Sequence, residues 1–136
     1  MMSMTMNPEI KQKWVDALRS GKYEQGSGTL RSHQGYCCLG VLCDLYSQEQ
    51  NTEWDFHGAY EEENTRPMDY WYFDGESEFL PKSVREWAGL SISSPQVRVE
   101  LSEDDEDDFF YNEDIANLND SGYTFIALSN LIEQQF

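Results

Sequence analysis

The sequence predicts one α+β domain, with three to four helices packed with a small antiparallel sheet. Three features point there. Apolar residues recur at helical spacing near both ends and in a central run, aromatic or alternating segments between them read as short strands, and 136 residues fit a single core spanning residues 1–136. Phe, Leu, Ile and Val fill 28 of the 136 positions, just above the roughly 20% below which a highly charged chain reads as disordered. The 4 Trp and 8 Tyr then tip the balance toward a folded chain.

The first helix starts at Asn7-Pro8-Glu9. Asn7 is an N-cap, Pro8 stands where a missing N–H costs nothing, and Glu9 lies near the positive end of the helix dipole. Ile10, Trp14, Ala17 and Leu18 share one face, and Gly21 ends the run. A loop with Gly26-Ser27-Gly28 fills residues 21–35. Tyr36 to Tyr46 is apolar nearly all round with a single charge, as a buried central helix would be. Gly40 inside it costs about 1 kcal/mol relative to Ala, which points to another element packed close against that position. From Gln48 to Gly75 no helical period is visible. Aromatic enrichment predicts short strands at 53–56 and 69–73, and a mobile segment at about 48–68 that includes a Glu61-Glu62-Glu63-Asn64 turn.

Leu80 to Leu90 reads as a two-turn helix, opened by Pro81, with Val84 and Trp87 inward and Gly89 closing it. Val97 to Leu101 alternates apolar and polar residues as a half-buried strand does. An acidic loop follows at about 102–108. It runs into Phe109-Phe110-Tyr111, which should pin one of its ends. Asn119-Asp120-Ser121-Gly122 supplies a turn and cap before a last helix from about Tyr123 to Gln135, where Phe125, Leu128, Ile132 and Phe136 share a face.

The order Lys13-Trp14-Val15-Asp16-Ala17-Leu18-Arg19-Ser20-Gly21-Lys22-Tyr23, then Tyr36-Cys37-Cys38-Leu39-Gly40-Val41-Leu42-Cys43-Asp44-Leu45, then Leu80-Pro81 to Leu90, then Leu118-Asn119-Asp120-Ser121-Gly122 resembles a family of small proteins of tailed bacteriophages and prophages. The resemblance covers most of the chain. It implies a phage origin, a small accessory role and the cytoplasm of an infected bacterial host, and it implies no catalysis. The middle segment and the acidic run depart most from the shared pattern, so a target particular to this chain would be engaged there.

Charge narrows the function. Against 9 Lys and Arg stand 26 Asp and Glu, a net charge of −17. Residues 1–50 balance, whereas residues 99–136 hold 11 acids and no base. Direct nucleic-acid binding needs local cations to displace counterions and is therefore a poor fit. The acids of the C-terminal quarter have no cation within that stretch, so solvent ions or a partner would have to meet their field. No apolar run approaches the roughly 18 residues of a membrane span, and the first residues lack a signal-peptide pattern, so a soluble protein without membrane contact is expected.

Specific chemistry is poorly represented. Cys37, Cys38 and Cys43 lack metal-ligand spacing and point different ways on a helix, so reduced core thiols are the better reading, and a buried thiol is an inert nucleophile for His33 or His57 to activate. Asn117 to Gly122 mimics the start of a calcium loop, but its twelfth position is Leu128 where a bidentate Glu is required. Carboxylates are too plentiful for any acid–base pair to stand out, and no phosphate-cradling glycine loop is present. No cofactor and no metal are expected, and nothing calls for an enzyme.

Two functions remain. The first is an acidic inhibitor that binds a host protein with a basic surface and mimics DNA. Its contact set would be Glu61, Glu62, Glu63, Tyr70, Trp71 and Tyr72, together with Glu103, Asp104, Asp105, Glu106, Asp107 and Asp108, the aromatics as anchors and the carboxylates as rim. The bland alternative is that the acids confer solubility and the aromatics fill the core. The second function is a nucleotide-like small-molecule binder or enzyme built on the aromatic middle and the Cys and His residues. It would need Lys22, Arg31, Arg66, Lys82 and Arg85 to converge. The sequence does not set the oligomeric state.

Overall fold

The computed structural model describes residues 6–57, 70–100 and 110–136. Helix α1, Pro8–Arg19, begins as its sequence dictates: Asn7 Oδ1 accepts a hydrogen bond from the Glu9 amide at 2.9 Å, and Ile10, Trp14, Val15 and Leu18 are buried. It packs along the last helix, α5, Phe125–Gln135, whose first turn is capped by Thr124. Phe136 tilts against Trp14 at 6.1 Å. Arg19 fastens the pair together. Its Nε donates to Ser129 Oγ at 2.9 Å, its Nη2 to Asn130 Oδ1 at 2.7 Å, and its Nη1 lies 3.2 Å from Glu133. One acid of the cation-free C-terminal quarter is thus met by a base from the opposite end of the chain, because helix packing brings the two ends together.

Helix α2, Cys38–Gln50, runs through the centre. Cys38 to Cys43 are all buried, and Trp14 Nε1 donates to the Cys38 carbonyl at 2.9 Å. The helix starts two residues later than the apolar run and ends four residues beyond it. Its last residues, Gln48, Glu49 and Gln50, are exposed and carry no core signal. Gly40 has the close neighbour its presence foretold: a Cβ built there would lie 1.8 Å from the Leu30 carbonyl oxygen.

Four short strands form one antiparallel sheet in the order β2-β1-β4-β3: β1 Arg31–Ser32, β2 Gly35–Tyr36, β3 Asp55–His57 and β4 Tyr70–Tyr72. The first two make a hairpin in the segment read as loop, and Tyr36, read as helical, belongs to it. Helix α3, Lys82–Ala88, ends at Gly89 with φ +80°, in the left-handed region that glycine tolerates best. A second hairpin pairs β5, Gln96–Glu100, with β6, Phe110–Asp114, placing Val97 opposite Glu113 and Val99 opposite Tyr111. Tyr111 remains 37% exposed, so this aromatic does not bury itself as the sequence suggested.

Helix α4, Ile115–Asp120, stands where only a turn was expected, and brings the described helices to five. Six residues are too few to display a period, yet Ile115, Ala116, Leu118 and Asn119 are all buried. The arrangement remains the mixed α+β domain with a small antiparallel sheet. No helix among the described residues is long and apolar enough to cross a membrane.

Candidate interaction surface

Strand pairing sorts the aromatic middle into two faces. Arg31 pairs with both Tyr36 and Trp71, and Trp71 pairs with Phe56, so these four side chains form a row across the sheet on one face. Tyr70 and Tyr72 point to the other face, 5.5 Å apart. The contiguous Tyr70-Trp71-Tyr72 of the sequence is therefore not one patch: Trp71 belongs with Arg31 and Phe56, the two tyrosines with the opposite side.

The row is a cation inside a set of rings. The Arg31 guanidinium carbon lies 4.3 Å from the Trp71 ring centroid, 5.1 Å from Tyr36 and 5.5 Å from Trp54. No carboxylate among the described residues comes within 4.0 Å of it, so the ring quadrupoles do the work an ion pair would otherwise do. Trp54 and Tyr36 are in turn set by Asp44 on α2. Its Oδ1 accepts from Trp54 Nε1 at 3.1 Å and its Oδ2 from Tyr23 Oη at 2.6 Å, while Tyr23 meets Tyr36 edge-on at 5.0 Å. Burial and the Asp44 carboxylate push the Tyr23 hydroxyl far above its ordinary value, which favours the protonated form that donates to Asp44. Inward, the rings continue from Trp54 to Phe73 and Tyr46 and end on Trp87. Outward, the row ends on Phe56, which is 57% exposed on the edge strand β3.

Exposed carboxylates without a basic partner are numerous on the described surface. Glu53, Asp55, Asp74, Glu76, Glu78 and Glu86 are all exposed, and none comes within 4.0 Å of a Lys or Arg nitrogen among the described residues. Asp74 accepts from Ser83 Oγ at 2.7 Å, which ties the turn after β4 to α3. Glu61, Glu62, Glu63, Glu103, Asp104, Asp105, Glu106, Asp107 and Asp108 lie outside the described residues, as do the 102–108 loop and most of the 48–68 segment. In the rest of that segment, α2 continues to Gln50 and β3 occupies Asp55–His57.

Among the described residues the bases do not gather, and Arg66 lies outside them. Arg31 is enclosed by rings, Lys22 sits in a cleft beside Asp16 and Asp44, and Arg85 donates to the Ser91 carbonyl at 3.2 Å on the far side of α3. A groove of about 920 Å³ between α5 and the β5–β6 hairpin carries one guanidinium among its lining, that of Arg98, beside amide and apolar side chains. Nothing there resembles a phosphate cradle.

The cysteines belong to the core. Cys37 caps α2, its Sγ accepting from the Gly40 amide at 3.4 Å, and burial pushes its thiol up to about 12 from an ordinary 9.0. Burial raises Cys38 and Cys43 well above the same value. The unfolded chain therefore loses these protons at lower pH than the folded one, and stability must fall as pH rises from about 9 toward 12. Urea midpoints measured across that window should decline steadily, and should decline less in a Cys43→Ala variant relative to its own value at pH 7. A flat profile would show that the thiols are not protonated in the fold.

The family model described as a domain of unknown function, DUF8296, matches residues 6–136, and the chain belongs to that family. No curated protein and no solved structure matches it.

Proposed function

We propose that this DUF8296 protein binds and blocks a basic, nucleic-acid-binding surface of a host protein, acting as an acidic DNA mimic of phage origin against host defence in the cytoplasm of the infected cell. The observation that carries the reading is the set of exposed carboxylates, Glu53, Asp55, Asp74, Glu76, Glu78 and Glu86, that have no base within 4.0 Å among the described residues. Like charges held close together on a folded body raise its self-repulsion, and a cationic groove relieves that repulsion on contact. A protein that grips a duplex must present such a groove, because the duplex carries about one negative charge per 1.7 Å of axis. Long-range attraction then speeds association, and the exposed ring of Phe56 can anchor the complex. The phage and defence components come from the sequence resemblance alone.

Capture on the immobilised protein from a bacterial lysate, followed by DNA displacement from each recovered partner, tests this. A partner should be recovered that releases DNA when the protein is added, with affinity falling steeply between about 50 and 200 mM salt. Converting Glu103, Asp104, Asp105, Glu106, Asp107 and Asp108 to Gln and Asn should lose that partner. Unchanged recovery, or a partner that keeps its DNA, overturns the proposal. The small-molecule alternative gains no support from the placement of the bases.

A further inference from the structure

We infer that the outer end of the sheet row, the Phe56 ring on β3 backed by Trp71, is a seat for an arginine side chain of the partner protein. This rests on the cationic-partner reading above and gives it a chemical identity. Phe56 and Trp71 pack at 5.0 Å with their planes inclined at 59°, and β4 carries Trp71 between β1 and β3. Trp71 therefore has Arg31 on one side and Phe56 on the other. The inner half of the row already shows what this surface holds: a guanidinium among three rings, with no carboxylate within 4.0 Å among the described residues.

At the outer half the ring is present, and no guanidinium among the described residues covers it. Phe56 is exposed, and although Asp55 pairs with Tyr72 and so faces the other side of the sheet, the chain as a whole carries a net charge of −17. A ring face is negative, and the negative field of the whole chain adds to it, so the surface favours a cation and disfavours a nucleotide, whose phosphates that field would repel. Between the two basic side chains, the planar and weakly hydrated guanidinium stacks on a ring at less desolvation cost than a lysine ammonium. The partner's contact residue is accordingly arginine.

The test uses the full chain, isotope-labelled, titrated at low salt with three short peptides that differ only in carrying two arginines, two lysines or two citrullines. The arginine peptide should bind about two- to fivefold more tightly than the lysine peptide, the citrulline peptide should not bind, and the arginine δ-methylene protons should shift upfield under the ring. Phe56→Leu keeps an apolar side chain at an exposed position but removes the ring. It should abolish both the upfield shift and the preference for arginine, leaving the two cationic peptides equal. If arginine and lysine bind alike in the parent and Phe56→Leu changes neither, the arginine seat is wrong while charge-driven binding stands. Binding of the citrulline peptide as tight as that of arginine would also overturn the seat, since planarity rather than charge would then be recognised. Failure of every cationic peptide to bind would remove the seat and the reading beneath it together.

Discussion

Replacing Gly40 with alanine is expected to cost about 3 kcal/mol or more, enough to leave a domain of this size largely unfolded at 37 °C. The added methyl carbon would lie 1.8 Å from the Leu30 carbonyl oxygen and 2.7 Å from its carbon, so either α2 or the chain entering β1 must move. Neither moves freely. The same Leu30 oxygen accepts from the Cys37 amide at 3.1 Å, and the Leu30 amide donates to the Ser77 carbonyl at 2.7 Å. Leu30, Cys38 and Leu39 are fully buried around the contact, so a displacement there propagates into the core. Gly28→Ala is the control. Its φ of +84° imposes left-handed strain, but a Cβ there meets nothing within 4 Å, so the loss should be about 1 kcal/mol. Urea denaturation of both variants separates the two causes, and near-equal losses would show that strain, not collision, accounts for Gly40.

Gly40 also marks how far the sequence alone could reach. A glycine in an otherwise apolar helix is a local anomaly, and the anomaly announced a close neighbour without saying which. The neighbour is the backbone carbonyl just before β1, in a sheet whose first hairpin had no sequence signal, since β1 and β2 are two residues each. Helices α1 and α5 were legible because they are amphipathic, and Asn7 marked the start of α1, whereas α5 starts at Phe125 with Thr124 as its cap and not at the Asn119–Gly122 turn read from the sequence. Helix α4 was not, because its six residues follow β6 directly and its burial is decided by what packs over it.

The candidate surface was legible in composition and illegible in arrangement. Unpaired acids and an aromatic middle are visible by counting. That Trp71 parts company with Tyr70 and Tyr72 follows from strand alternation, which required knowing that β4 is a strand and where it starts. Phe56 was passed over as one aromatic among many, and only the register Phe56–Trp71–Arg31 puts it at the end of a row. Arg31 was grouped with bases that would have to meet around a phosphate. Its enclosure by Tyr36, Trp54 and Trp71 depends on tryptophans 23 and 40 positions distant, and no local pattern encodes such contacts.

Asn119→Ala should be the second severe substitution, at about 2–5 kcal/mol, by a route that has nothing to do with volume. Asn119 is 4% exposed, and its side chain joins three separate parts of the fold. Its Oδ1 accepts from the Cys38 amide at 3.2 Å and from Gln25 Nε2 at 2.9 Å, while its Nδ2 donates to the Gly26 carbonyl at 2.9 Å and to Asp120 Oδ1 at 3.2 Å. Cys38 is the first residue of α2, where an amide has no partner within its own helix. Alanine therefore leaves a buried N–H and a buried C=O unpaired, each at about 1–3 kcal/mol. Asn119→Asp discriminates further, because it preserves shape and acceptor but loses the donor and, once ionised, sets a second charge beside the Asp120 carboxylate. Burial and that neighbour favour the protonated form in the fold, so the variant should lie closest to the parent near pH 4 and fall away as pH rises through the carboxylate range. Thermal unfolding at pH 4 and pH 7 reads the difference directly. A pH-independent loss for Asn119→Asp, or a loss below about 1 kcal/mol for Asn119→Ala, would mean that water replaces the amide at this junction and that α2, α4 and the Gly26 loop are held together by packing alone.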